Sequence, residues 1–241
     1  MQVEVLGTGS AGNCYKVEIG RATLLLECGL PFKLIQQKLG FKLSNIDACL
    51  VTHEHMDHAK AVKDLMKAGV DCYMTKGTAE ALELKGHRLN TFRPFEKARY
   101  YSEELKDVVI LPFEAVHDVA EPVSYYIRTF SKKEKTESMV FVTDTAYLKY
   151  QLPVCDVLMI ECNYVKSTLD ENVEQDKINT SLRNRIVKNH LSLENLVEAL
   201  QAADSKRLKK IYLLHLSDSN SDEELIKRTI QEITGVEVVI A

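Results

Sequence analysis

Short apolar bursts alternate along this chain with longer amphipathic stretches, and the two periods mark strands and helices. Residues 3–6 read as a first strand, and 14–19 with 22–27 as a hairpin turning at Gly20-Arg21. Residues 31–39 read as a short helix, with Pro31 at its start and Gly40 at its stop. Residues 48–51 are a continuous apolar run, the mark of a buried strand. After it, Ala59, Val62, Leu65 and Met66 share one face of a helix over 59–68. A strand at 70–74, a helix at 78–85 and a strand at 108–111 follow. Residues 123–130 and 138–143 read as a hairpin whose tip, 131–137, is a solvated charged turn. The next strand is 156–160. Residues 164–189 are long and polar, with one helical turn over 182–187. Ser192 then caps a helix that sets Leu193, Leu196, Val197 and Leu200 on one face. A strand at 211–214 follows. Ser221-x-x-Glu224 reads as a capping box opening a last helix, 223–234, and 236–240 closes the chain as a strand. The strands fall in two groups, 3–51 with 70–111 and 123–160 with 211–240, each with helices that need a sheet face to cover. With no repeat, low-complexity tract or linker, residues 1–241 read as a single domain.

Charge narrows the function. The net charge is −4 and the pI near 6.0, which argues against a protein that wraps long nucleic acid. No apolar run approaches membrane-spanning length, and the N-terminus runs straight into a strand without a signal peptide. The six cysteines form no C-x-x-C pair and mostly sit in strand-like runs. They read as reduced, buried thiols, and the protein as cytoplasmic.

The chemistry concentrates where the 48–51 strand gives way to a helix. Thr52-His53-Glu54-His55-Met56-Asp57-His58 sets three imidazoles and a carboxylate side by side. His53 and His55 are two apart and can point the same way from an extended segment. Asp57 and His58 follow as the chain bends, and can serve a second ion beside the first. Further candidates follow strands downstream: His117, Asp144 between two threonines, and His215. Such an Asp can bridge two ions or simply cap a turn. His190 stands at the mouth of a helix near Arg183, Arg185 and Lys188, as a phosphate-side residue or a neutral capping one. His87, between Gly86 and Arg88, reads as a surface residue. The glycine-rich loop 7–13 could turn its amides toward an anion or serve as a tight turn; it lacks a P-loop lysine.

The H-x-H-x-D-H run, followed in order by His117, Asp144 and His215, resembles the metallo-β-lactamase superfamily over nearly the whole chain. Gly9-Ser10-x-Gly12-Asn13, His117-Asp118-x-x-Glu121-Pro122-Val123 and His190-Leu191-Ser192 resemble its YycJ (WalJ) group of small nucleases. The scaffold also resembles the ribonuclease Z family and the phage anti-Pycsar proteins, which hydrolyse cyclic mononucleotides. The resemblance implies an α/β fold, a four-layer αββα sandwich with the metal site at one edge between two sheets. It implies two divalent ions per chain, zinc or alternatively manganese. His53, His55 and His117 would hold one ion, Asp57, His58 and His215 the other, with Asp144 bridging. Asp57, His190 and Glu161 are the catalytic residues it implies, His190 protonating the leaving group beside Glu161. An acidic residue, usually Asp, supports the metal loop from behind in this family; Glu27 stands there, one methylene longer.

A dinuclear centre with a proton donor suits a phosphodiester, whose alkoxide leaving group is poor. Without a basic arm, and with a polar 164–189 segment to cover a small pocket, the chain suits a small nucleotide. Ser10, Asn13, Arg183, Arg185 and Lys188 are the candidate substrate contacts. The favoured reading is therefore hydrolysis of cyclic mononucleotides to linear monophosphates. A DNA exonuclease of the YycJ type is the close alternative, then a ribonuclease Z-like enzyme. A metal-stabilised binding protein without activity is the non-enzymatic alternative. The partners are then a small nucleotide or nucleic-acid ends, with no membrane; a homodimer is compatible.

Overall fold

The computed structural model describes residues 1–95, 108–130 and 136–241. Residues 131–135 of the charged tip expected over 131–137 lie outside the described residues. The elements run β1 (Gln2–Gly7), β2 (Cys14–Ile19), β3 (Ala22–Leu26), α1 (Phe32–Lys38), β4 (Ala48–Leu50), α2 (Met56–Ala59), α3 (Val62–Lys67), β5 (Cys72–Thr75), α4 (Lys76–Ala81) and β6 (Leu89–Phe92). Then come β7 (Val108–Glu114), β8 (Val123–Thr129), β9 (Ser138–Val142), β10 (Val157–Glu161), α5 (Lys166–Glu174), α6 (Thr180–Asn189), α7 (Leu193–Ala202), β11 (Lys210–Leu214), α8 (Glu223–Thr234) and β12 (Glu237–Ile240).

Two six-stranded sheets result, ordered β1-β2-β3-β4-β5-β6 and β12-β11-β10-β9-β8-β7. Both are mixed. In the first, β1 to β3 pair antiparallel and β3 to β6 parallel. In the second, β7 and β8 pair antiparallel, and β9 to β12 run parallel. The expected α/β architecture of two sheets with flanking helices is present. One assignment changes: β7 belongs to the second sheet, as the edge partner of β8, not to the first. Local pattern finds a strand, but its partner is chosen by long-range pairing.

The chain divides into two compact units: Met1–Glu114 with Val119–Ser138, and Ala115–Asp118 with Met139–Ala241. In the first, Ile35 of α1, Val62 and Leu65 of α3 and Ala79 of α4 share a buried cluster with Leu25, Cys49, Cys72 and Met74 of the strands. Each large side chain there contributes roughly 1.5–3 kcal/mol by leaving water. Cys14, Cys28, Cys49 and Cys72 lie in the same cluster, and all six cysteines are buried free thiols. In the second unit, β9 is buried along its whole length, and α7 and α8 turn Leu196, Leu200, Ile226 and Ile230 inward.

Three local readings are corrected. The helix expected over 59–68 is two helices, α2 and α3, broken at Lys60-Ala61. The 164–189 stretch is mostly helical, with α5 and α6; α6 is polar on most of its surface, but Asn179 caps it by accepting from Leu182 N. The last helix is capped by Asp222, whose Oδ1 accepts from Leu225 N at 2.9 Å, while Ser221 Oγ donates to Ser217 O. A carboxylate at the N-cap also meets the positive end of the helix dipole. No helix among the described residues is long and apolar enough to cross a membrane.

Candidate metal centre

Each unit carries one set of candidate donors, most of them just past the ends of parallel strands. In the first unit, β4 runs out into residues 51–55 and α2 begins at Met56, which brings His53, His55, Asp57 and His58 together. His53 Nδ1 lies 2.9 Å from Thr52 Oγ1, and His53 Nε2 lies 3.2 Å from His55 Nδ1. The His53 and His58 ring centroids are 4.2 Å apart, and His58 Nε2 is 3.3 Å from Asp57 Oδ2. Glu27 stands behind them, fully buried at φ 65° just after β3. Its carboxylate accepts from Thr52 N at 3.3 Å and faces His58 Nδ1 at 3.7 Å. Burial pushes its carboxyl up, against the pull of His58. The longer side chain thus still reaches the metal loop from behind.

That loop is sewn in place through its backbone. Asn13 N donates to Asp57 O at 2.7 Å and Cys28 N to His58 O at 2.8 Å. Gly29 N donates to Asn13 O, and Ala61 N to Cys28 O. Asn13 is wholly buried; its Nδ2 reaches Gly9 O, Asp57 O and His58 Nε2, and its Oδ1 accepts from Gly9 N and Tyr15 Oη. With every polar atom so engaged, Asn13 braces the loop from within. Ser10 is exposed. Glu121 also proves structural: its Oε2 accepts from Gly77 N at 2.7 Å, and its carbonyl accepts from Thr75 Oγ1.

In the second unit, His117, Asp144, Glu161, His190 and His215 come together. Asp144, Glu161, His190 and His215 each offer a donor atom, all within 4.8 Å of one another. His117 Nδ1 donates to Asn189 O at 3.1 Å, and its Nε2 faces Asp144 Oδ2 at 3.7 Å. Asn189 Oδ1 accepts from Asp118 N. Thr143 Oγ1 donates to Asp144 Oδ1, which His215 Nδ1 approaches to 3.3 Å. Asp144 and His215 follow β9 and β11 at φ 20° and 55°, strained for residues with a Cβ and held by these bonds.

Glu161, at the end of β10, is the hub of this set. Its Oε1 accepts from His190 Nδ1 at 2.7 Å and His215 Nδ1 at 3.0 Å; its Oε2 accepts from Leu191 N at 3.0 Å and Thr145 N at 3.2 Å. Burial opposes its charge, but His190 and the hydrogen bonds from His190 and His215 outweigh it and hold the carboxyl below its usual value. Burial likewise pulls His190 down, but the Glu161 charge and hydrogen bond prevail and raise the imidazole. Arg183 pairs with Asp170 at 2.9 Å on the surface of the second unit, while Arg185 and Lys188 are exposed on α6. His87 is exposed, as its sequence context suggested.

The donors suit a divalent ion. His53, His117 and His215 each spend Nδ1 on an oxygen partner, Thr52 Oγ1, Asn189 O and Glu161 Oε1 respectively. For His117 and His215, whose partners can only accept, that fixes the tautomer with the Nε2 lone pair available, the outer support a metal-bound imidazole needs. Asn189 had no part in the sequence reading. Only its place next to His190 could have drawn notice.

Residues 23–216 match the family described as the β-lactamase superfamily domain. This chain belongs to the metallo-β-lactamase superfamily. Among its relatives, Exodeoxyribonuclease WalJ of Streptococcus pneumoniae serotype 2 (strain D39) is 32% identical over 239 residues, 94% of this chain and 85% of that protein. Anti-Pycsar protein Apyc1 of Paenibacillus sp. (strain J14) is 34% identical over 71 residues, 27% of this chain and 29% of that protein. The metallo-β-lactamase fold protein YhfI from Bacillus subtilis superposes with a TM-score of 0.70 at 19% identity, covering 99% of this chain and 95% of YhfI. The metallo-β-lactamase fold read from the ligand pattern is therefore the fold of this chain.

Proposed function

We propose that this superfamily member is a metal-dependent phosphodiesterase that degrades DNA from its ends. The carrying observation is the reach of its likeness to WalJ, a DNA exonuclease by name, over 94% of the chain. Similarity to Apyc1 is confined to 27% of the chain. That difference reverses the order of the two substrates favoured from sequence. Cyclic mononucleotide hydrolysis stays as the second reading, supported by the Apyc1 match and the net charge of −4.

In this reading His53, His55 and His117 would hold one ion and Asp57, His58 and His215 the other, with Asp144 as a further ligand. When bound, two such ions supply Lewis acidity at the phosphate and an activated water at neutral pH. The chain's own residues do the rest. Glu161 fixes His190 through Nδ1, so His190 Nε2 carries the transferable proton. The Glu161 carboxylate at 2.7 Å favours the protonated imidazole, the form a general acid needs. Its proton goes to the departing deoxyribose oxygen, which would otherwise leave as an alkoxide. Glu161 is anchored by two backbone amides besides the two imidazoles, so the acid keeps its orientation through the cycle. Ser10, Arg183, Arg185 and Lys188 remain candidate substrate contacts, with Arg183 already paired to Asp170.

The test is a substrate panel on metal-reconstituted protein: linear duplex DNA, the same DNA as a closed circle, RNA, and cyclic CMP, UMP, AMP and GMP. Linear DNA should be degraded and the circle spared. Hydrolysis of a cyclic nucleotide with linear DNA left intact would establish the second reading instead. No turnover of anything in the panel would favour the binding-protein alternative.

A further inference from the structure

We propose that Lys60, Lys63, Lys67 and Lys85 form a track on the first unit that grips the phosphate backbone of the nucleic acid. The proposal rests on the DNA reading above and says where that polymer is held. The track starts at the metal turn. Lys60 directly follows α2, which carries Asp57 and His58, and Lys63 and Lys67 follow on α3. A spacing of four places the exposed Lys63 and Lys67 along one face of α3, about 6 Å apart in rise, and Lys60 stands exposed just before that helix.

The track ends in an open groove of about 410 Å³. Lys63 and Lys67 border it beside Lys85 and His87, with Met66 and Leu84 among its apolar lining. Its loop is firmly built. Leu84 N donates to Ala79 O, Leu89 N donates to Gly86 O, and Cys72 N donates to Arg88 O. Because β4, β5 and β6 are parallel, this loop, which precedes β6, lies at the sheet end opposite the one where β4 delivers His53. A strand the length of β5 spans roughly 13 Å. The lysines therefore run from the donor turn of this unit toward its far end, as a contact for a polymer would, and not as a pocket for one small anion.

Some of the local charge is already used. Lys67 lies 3.7 Å from Asp64, Arg88 is taken by Asp71 at 3.2 Å, and Glu83 also lines the groove. Among the described residues, Lys60, Lys63 and Lys85 have no acidic partner. A protein of net charge −4 that leaves three cations unneutralised along one path has a local field opposite to its average. A polyanion suits that field.

The decisive variant is Lys63→Gln/Lys85→Gln, two exposed positions outside the donor sets. Metal-loaded wild type and variant would be compared for binding of a short linear duplex across a salt series. Hydrolysis of bis(p-nitrophenyl) phosphate would be measured alongside. Loss of two phosphate contacts should reduce the log–log salt slope by about 1.8, so that binding is weakened most at low salt and the deficit shrinks roughly 10-fold between about 50 and 200 mM. The small ester should be hydrolysed as before. An unchanged salt slope and affinity would overturn the proposal, as would equal losses on duplex and small ester. A wild type that binds duplex through these lysines but never cleaves it would sink the exonuclease reading and leave the track standing. A wild type that fails to bind duplex at low salt would sink the track itself.

Discussion

Gly29 is where the metal loop can be broken without touching a ligand. A Cβ built there would lie 1.7 Å from Asp57 O, 2.1 Å from Asp57 C and 2.8 Å from His58 N, against a practical floor of 3.0 Å. All three atoms are backbone, so no rotamer change relieves the clash. Gly29→Ala must push the two segments apart by roughly 1.3 Å, which a close-packed interior does not absorb. Hydrogen bonds of 2.7 and 2.8 Å, from Asn13 N to Asp57 O and from Cys28 N to His58 O, span the same gap and would open. Asn13 and Cys28 are wholly buried, so their amides would find no water. At about 1–3 kcal/mol for each stranded buried group, the variant should lose about 2–6 kcal/mol. That is a large part of the stability of an ordinary domain.

Urea denaturation of the metal-free protein reads this loss without the ions. Metal analysis of the reconstituted protein then reads the displacement of Asp57 and His58 as a lower ion content. Gly9→Ala is the matched control. Its Cβ meets nothing within 4 Å, although φ is +80°. It should cost only about 1–2 kcal/mol of backbone strain and leave ion content unchanged. Wild-type stability and full ion content in Gly29→Ala would refute the clasp as the element that positions the ligands.

The remaining predictions concern the chemistry and one structural charge. Asp57→Ala and Asp144→Ala should each lower metal content and abolish turnover; both variants with full activity and two bound ions would contradict the ligand assignment. His190→Ala should keep its metal and lose about 10²–10⁴ in rate on a natural diester, but far less on a p-nitrophenyl ester, whose leaving group needs no proton. Equal losses on the two esters would make His190 a binding residue instead. Asp156 is buried and accepts from Arg207 Nη2 and Lys209 Nζ, both at 2.7 Å. Both cations are more than a third exposed, so solvent screening limits Asp156→Ala to about 1–2 kcal/mol in a urea melt, with ion content unaffected.

How far the sequence reveals the molecule depends on where each feature's physics resides. The donors were legible because metal chemistry lies in side-chain type and spacing: His53, His55, Asp57 and His58 announce themselves within one turn of chain. Most strands were legible because burial writes itself as an apolar run. The partner of β7 was not, because residues 108–114 carry no local mark of the sheet they join. Helix α6 was read as a single turn because its surface is polar; its start rests on the Asn179 cap, and its last residue, Asn189, turns inward to hold His117. That support is made by a backbone carbonyl, which leaves no trace in residue type.

The break between α2 and α3 shows the same limit from the other side. The periodicity of Ala59, Val62, Leu65 and Met66 is helical throughout, and nothing in it calls for a stop at Lys60-Ala61. In an uninterrupted helix Ala61 N would donate to Asp57 O, and Val62 N to His58 O. Both carbonyls are already taken, by Asn13 N and Cys28 N, and Ala61 N turns to Cys28 O instead. The helix is thus interrupted by the clasp that fixes the metal turn. Satisfying every backbone group in this crossing requires chain segments near residues 13, 28 and 57 to meet at backbone distance. Gly29 is what permits the approach. Four of the candidate ligands could be read from a single heptapeptide, but their placement is a property of three segments that only the fold brings together.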